Sequence, residues 1–208
     1  MAVIFISLHQ DAGAVVDGAR SYLEAWTRIH ESIITPSSQN DLSCWRKPPP
    51  GWVKLNVDAA INKGLNSTGL GFILCNEDGN FLAAKEQKWS EEIGPTRFTS
   101  EAEAIRIREA LKWIKVMNVD RVQIETDALL VIQGLNNPKL ISSFDLVLED
   151  IRKLANDFQC ISFMFVKRSA NTTAHLLARE AVFIADCIIW ASLPPSFLYD
   201  VLTLDNEI

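Results

Sequence analysis

Along this chain, apolar side chains first settle into a two-residue repeat at Trp52. Over residues 52–59, Val53, Leu55 and Val57 alternate with Lys54 and Asn56, which predicts a strand, and Asp58 ends the alternation. Residues 62–68, with Gly64, Asn66 and Ser67, should turn the chain into a second strand over 70–75. Asn76-Glu77-Asp78-Gly79 is a hairpin turn, and residues 81–89 form a third strand, completing an antiparallel meander. The period then changes. Between 101 and 117, Ala104, Ile107, Leu111, Ile114 and Met117 recur three or four apart, so this stretch is a helix. Thr99 or Ser100 can cap it, and Glu101 and Glu103 lie in its first turn. A short strand over 121–125 places Val122 and Ile124 inward, Asp127 follows at once, and a helix over 128–135 stops at Asn136-Asn137-Pro138. Another helix (145–158), a strand (161–166) and a last helix from Asn171 to about 184 complete the order β-β-β-α-β-α-α-β-α. That order predicts an α/β fold, a mixed five-stranded sheet flanked by helices.

The flanks are less patterned. Residues 16–34 read as one amphipathic helix, with Tyr22, Trp26 and Ile33 on one side. Residues 36–41 read as a linker, and Pro48-Pro49-Pro50-Gly51 as a stiff, extended lead-in. Three segments result: 1–49 as helix and linker, 50–187 as the folded domain, and 188–208 as a tail. The tail contains Leu193-Pro194-Pro195 and is expected to pack loosely or end disordered.

Composition changes this picture in two places. A hydrophobic share of 48% with six tryptophans supports a real core, whereas a net charge of -6 excludes a globally basic nucleic-acid module. Binding to nucleic acid would then come from a local groove and be salt-sensitive. Cys44, Cys75, Cys160 and Cys187 form no C-x-x-C pair, so neither a zinc ribbon nor a disulfide framework is expected. The apolar start, residues 1–8, lacks a positive leader and is interrupted by His9, Gln10 and Asp11. It does not read as a secretory signal, and no apolar run nears the roughly 18 residues that span a bilayer. The expectation is an intracellular, monomeric protein without a membrane partner, its compartment (nuclear or cytoplasmic) left open.

Three carboxylates stand where a sheet scaffold presents chemistry. Asp58 lies in the first strand, Glu103 in the first turn of the long helix, and Asp127 at the exit of the fourth strand. Strand ends and helix N-termini converge on one edge in α/β folds, which is where ligands bind. Gathered there, three carboxylates repel one another unless a hard cation holds them, and Mg²⁺ or Mn²⁺ suits such oxygen ligands. Two such ions, about 4 Å apart, support phosphodiester hydrolysis. Taken singly, each carboxylate is an ordinary cap or turn residue, and spacing alone does not identify a nuclease. Glu101 rivals Glu103, but the two lie about 200° apart around a helix, so only one can face the site.

The residues that carry this pattern also resemble a known family. Lys54 to Ala60 with Gly69 to Leu74, Ala102 to Leu111, Ile124 to Ala128, and Val166 to Ala178 are similar, in order, to the motifs of ribonuclease H type-1 domains. The closer likeness is to the plant group related to non-LTR retroelement reverse transcriptases, and Pro48 to Trp52 and Trp190 to Leu198 resemble it too. The resemblance spans about three-quarters of the chain. It implies a ribonuclease H-like mixed sheet, three antiparallel strands then two parallel, and metal-dependent endonucleolytic cleavage of RNA in RNA–DNA hybrids. It makes Asp58, Glu103 and Asp127 the ligands of a two-metal Mg²⁺ (or Mn²⁺) site, and its register selects Glu103, leaving Glu101 to solvent or the helix dipole. His175 stands where many relatives carry a fourth aspartate, and a neutral imidazole brings no negative charge, so the second metal would be held more weakly. Ala59 stands where the motif often has Gly. Candidate phosphate contacts are Asn62, Lys63, Lys167, Arg168 and Asn171. Residues 136–149 offer only Lys139, so no basic protrusion grips a hybrid and the isolated domain should bind weakly. Two other readings stay open: a catalytically weak or inactive module that binds nucleic acid or another partner, and a 3′–5′ exonuclease on a related fold, which the meander order disfavours.

Overall fold

The computed structural model describes residues 43–62, 64–65, 67–89, 99–137 and 142–206. The helix expected over 16–34 and the linker over 36–41 lie outside the described residues. The meander is present as β1 (Val53–Asn62), β2 (Ser67–Cys75) and β3 (Phe81–Trp89). The turn between β2 and β3 is set by Asn76, whose Oδ1 accepts hydrogen bonds from the backbone N–H of Asp78 (3.0 Å) and Asn80 (2.8 Å). Gly79 supplies the positive φ that the turn requires, 86°.

Helix α1 (Thr99–Lys115) leads into β4 (Arg121–Thr126), then α2 (Leu129–Asn136), α3 (Ser143–Ala155) and β5 (Cys160–Phe165). Helix α3 starts two residues earlier than its apolar period suggests. Ser142 and Asp145 form a reciprocal capping box that satisfies the first turn. A short 3₁₀ turn (Arg168–Ala170) precedes α4 (Thr172–Ala181).

The sheet has six strands rather than five, in the order β5-β4-β1-β2-β3-β6. The extra strand, β6 (Cys187–Ala191), comes from the segment expected to pack loosely, and it runs antiparallel to β3. The physical reason is the edge of β3, whose backbone groups would otherwise lack sheet partners. Beyond β6, Ser196–Leu198 and α5 (Tyr199–Asn206) fold back, and Leu198 is fully buried. Trp45, upstream of the expected start at Pro50, is buried as well.

Two apolar layers sandwich the sheet. On one face, Leu55, Val57, Leu70, Phe72 and Ile124 pack against Ala104, Ile107 and Leu111 of α1 and Leu148 and Ile151 of α3. On the other, Ile73, Cys75 and Ala84 meet Ala174 and Leu177 of α4, together with Leu198 and Trp45. The approach of α4 to β2 is unusually close. A Cβ added at Gly71 would lie 2.4 Å from both the Ala174 carbonyl oxygen and the Ala178 nitrogen, so only glycine fits there. Gly71 is the β2 partner of Asp58. Thus the glycine that admits α4 also brings that helix over the first candidate carboxylate.

Candidate active site

Strand β1 pairs in parallel with β4 only as far as Asn56↔Glu125, after which β4 continues beside β5 to Thr126↔Phe165. Asp58 and Asp127 stand at this parting, a place where α/β sheets open to ligands. The local chain explains both positions. Asp58 continues the Lys54–Asn56 face of β1, and Asp127 follows the last residue of β4, where Thr126 Oγ1 accepts from the Ala128 N–H at 3.2 Å.

Asp58 is the centre of a cluster of polar side chains. Its Oδ2 is 2.7 Å from His175 Nδ1, from the first turn of α4. Its Oδ1 accepts from Arg106 Nη1 at 3.1 Å, and Arg106 Nη2 is 3.5 Å from Glu103 Oε1. At the rim, the exposed Arg168 donates from Nε to Asp127 Oδ2 at 3.2 Å. Burial raises the Asp58 carboxyl above its ordinary value, Arg106 works against that, and the charge of Asp127 adds to it. Glu103 is raised in the same way, burial first, with Arg106 opposing and Asp127 and Asp58 reinforcing. Burial lowers the Arg106 guanidinium, while Asp58 and Glu103 raise it.

The structure therefore brings Asp58, Glu103, Asp127 and His175 to one edge, with Arg168 beside them. Other expectations are redistributed. Glu101, given to solvent or to the helix dipole, is buried, which removes the first alternative, and it lies in the first turn of α1, as the second requires. Asn171, given to phosphate, is buried too: its amide donates to Val57 O (3.0 Å) and its Oδ1 accepts from Asn56 (3.1 Å), so it ties β1 to the start of α4. Its burial follows from facing the sheet. Asn62 closes the β1–β2 connection by accepting from Leu65 N at 3.0 Å, and Lys167 is exposed. Lys63 lies outside the described residues.

Arg106 was not singled out by its sequence, although the signal was there. It lies three residues after Glu103, on the same helix face, so any register that points Glu103 at the site points Arg106 there too.

Carboxylates of this kind have the right chemistry for Mg²⁺ or Mn²⁺. Their arrangement does not fit a two-metal centre as it stands. Among the described residues no group of three His, Cys, Asp or Glu side chains is placed to hold a metal ion. Each oxygen of Asp58 already faces a protein nitrogen, Arg106 Nη1 on one side and His175 Nδ1 on the other.

The mixed sheet, its β-β-β-α-β order and the carboxylates at the β1/β4 parting define a ribonuclease H-like fold. Residues 56–181 match the family model described as reverse transcriptase-like, and the chain belongs to that family. Among solved structures, it is similar to RNase H1 from the halophilic archaeon Halobacterium salinarum NRC-1, at 25% identity and a TM-score of 0.53, over 62% of this chain and 96% of that one. The N-terminal RNase H domain of rv2228c from Mycobacterium tuberculosis shares the fold, at 21% identity and a TM-score of 0.53 over 63% and 93% of the two chains. So does LC11-RNase H1, solved in complex with an RNA/DNA hybrid, at 19% identity and a TM-score of 0.53 over 62% and 96%. No curated protein sequence matches the chain significantly. Among the described residues, no helix is long and apolar enough to cross a membrane.

Proposed function

We propose that this chain is a ribonuclease H-type domain, within residues 50–187 and the segments packed on them, that engages RNA–DNA hybrids at the β1/β4 edge. The activity that the carboxylate set would serve is metal-dependent endonucleolytic cleavage of the RNA strand. The observation that carries this reading is the meeting of Asp58, Glu103, Asp127 and His175 on one edge, with Arg168 and Lys167 beside it to meet phosphates. The likeness to the Halobacterium salinarum RNase H1 supports it, as does the sequence resemblance to the plant group related to non-LTR retroelements. If a divalent ion binds here, Asp58, Glu103 and Asp127 would hold it, and it would supply charge stabilisation and an activated water. Arg106 and His175 favour a second reading, a catalytically weak module that binds hybrid, because both engage the central carboxylate.

A labelled RNA–DNA hybrid separates the two. Binding is measured in EDTA, and cleavage in Mg²⁺ and then Mn²⁺, against an Asp127→Asn control. Products that vanish in the control establish the nuclease. Hybrid binding without products, surviving Asp127→Asn, establishes the binding module. Absence of both binding and products overturns the proposal.

A further inference from the structure

The geometry points to Arg106 as the resident cation of this centre: its guanidinium bridges Asp58 and Glu103, so that a divalent ion and Arg106 compete for the same carboxylates. The inference rests on reading the edge as a ribonuclease H-type centre and concerns how that centre is controlled.

Arg106 is held rather than poised at a surface. It is 8% exposed, and each of its three guanidinium nitrogens has a partner: Nη1 on Asp58, Nη2 on Glu103, and Nε on the carbonyl of Ala102 one turn back. A planar guanidinium suits this task because its two terminal nitrogens reach two carboxylates at once, as a point charge could not. Asp58 is the ligand most affected. Arg106 takes one of its oxygens and His175 the other, so no oxygen of Asp58 is left without a protein donor. Asp127 differs, since its partner Arg168 is mostly exposed and can swing to solvent or to a phosphate.

Charge argues the same way. Three carboxylates face two arginines here, so the centre carries a formal charge of about -1 instead of the -3 that would attract a divalent ion. Metal binding then requires the guanidinium to leave a buried position in which all its nitrogens are engaged. Removing it would open Asp58 and Glu103 to metal together.

Calorimetric titration of the purified full chain with Mn²⁺ tests this, comparing the wild type with Arg106→Ala and Arg106→Gln. The expected result is an Mn²⁺ affinity roughly tenfold or more higher in the variants, with their thermal midpoints raised by Mn²⁺ while that of the wild type barely moves. Equal or weaker Mn²⁺ binding by folded variants overturns the proposal. Should neither variant fold, the wild type still decides. Its Arg106 side-chain NMR resonance should shift as Mg²⁺ binds, with the midpoint of the binding isotherm and only at millimolar Mg²⁺ or above, and Mg²⁺ that saturates the centre while that resonance stays in place would refute the competition. Hybrid binding in EDTA is measured on the same samples. Its loss would defeat the proposed function without touching the Mn²⁺ comparison, and equal Mn²⁺ affinities would defeat Arg106's role while leaving hybrid binding intact.

Discussion

Two buried cation–carboxylate groups lie along the same face of β1, and they have different fates. At the first, Lys54 Nζ is 2.5 Å from Glu125 Oε1, also donates to the Arg46 carbonyl, and sits 5.1 Å from the centre of the Trp45 ring. Asn56 closes this group by donating to Glu125 (3.0 Å) and accepting from Trp45 Nε1 (2.9 Å). Its members are all buried. At the second, four residues along β1, Arg106 takes the place of Lys54, but the group reaches solvent through His175 and Arg168, whose side chains are 28% and 68% exposed. Buried charges need partners in both places. What differs is access: the sealed group can only hold the fold together, whereas the open one can exchange its protein cation for something that arrives.

The largest test of this contrast is Lys54→Met, which keeps the length of the side chain and removes its charge. Glu125 then loses its cation inside the protein, and a loss of about 3–5 kcal/mol in urea unfolding is expected. Divalent ions should restore none of it, because Glu125 is only 4% exposed. If Mn²⁺ rescues Lys54→Met as well as it rescues Arg106→Ala, the distinction between sealed and open groups fails.

These two groups also show what was legible in the sequence. Strand alternation and helical period fixed the order of nearly every element, since each depends on neighbours a few residues apart. Asp58, Glu103 and Asp127 stand out in the sequence because Asp58 ends an apolar alternation, Glu103 opens a helix and Asp127 follows a strand, although β1 runs on past Asp58 to Asn62. The role of Arg106 needed the distance between α1 and β1, a tertiary fact, and only its spacing from Glu103 hinted at it. Asn171 looked like a phosphate contact for want of that same information: its amide faces Asn56 and Val57 across the sheet. β6 is hard to read because only Trp190 of its five residues is partly buried, packed on the second apolar layer, so no two-residue repeat marks it. Edge strands held by backbone pairing leave little trace in a hydrophobic pattern.

Glu86 sharpens the comparison because it is a buried carboxylate with no cation paired to it among the described residues. Its Oε1 lacks a hydrogen-bond partner among the described residues. Burial, and secondly the charge of Glu180, push it up from 4.5 to about 7. The folded state therefore holds this proton more tightly than the unfolded chain. Its contribution is fully present below about pH 4.5 and is lost as pH rises to about 7. Glu86→Gln should leave stability unchanged at pH 4 and raise it by at most about 3 kcal/mol at pH 8. Equal stability of the two proteins at pH 8 would show that Glu86 ionises without cost, and that burial alone does not demand a cation here.

The smallest effect on stability, and the most informative for function, belongs to Arg168. Its pair with Asp127 is exposed, so Arg168→Ala should change stability by less than about 1 kcal/mol. If Arg168 leaves Asp127 to meet a phosphate, the same change should weaken hybrid binding and lower the slope of log affinity against log salt by about one unit. Lys54→Met, measured at a temperature where it is folded, should leave that slope alone. A slope unchanged in Arg168→Ala would mean that the open group does not face the nucleic acid, and its accessibility would have to serve metal exchange alone.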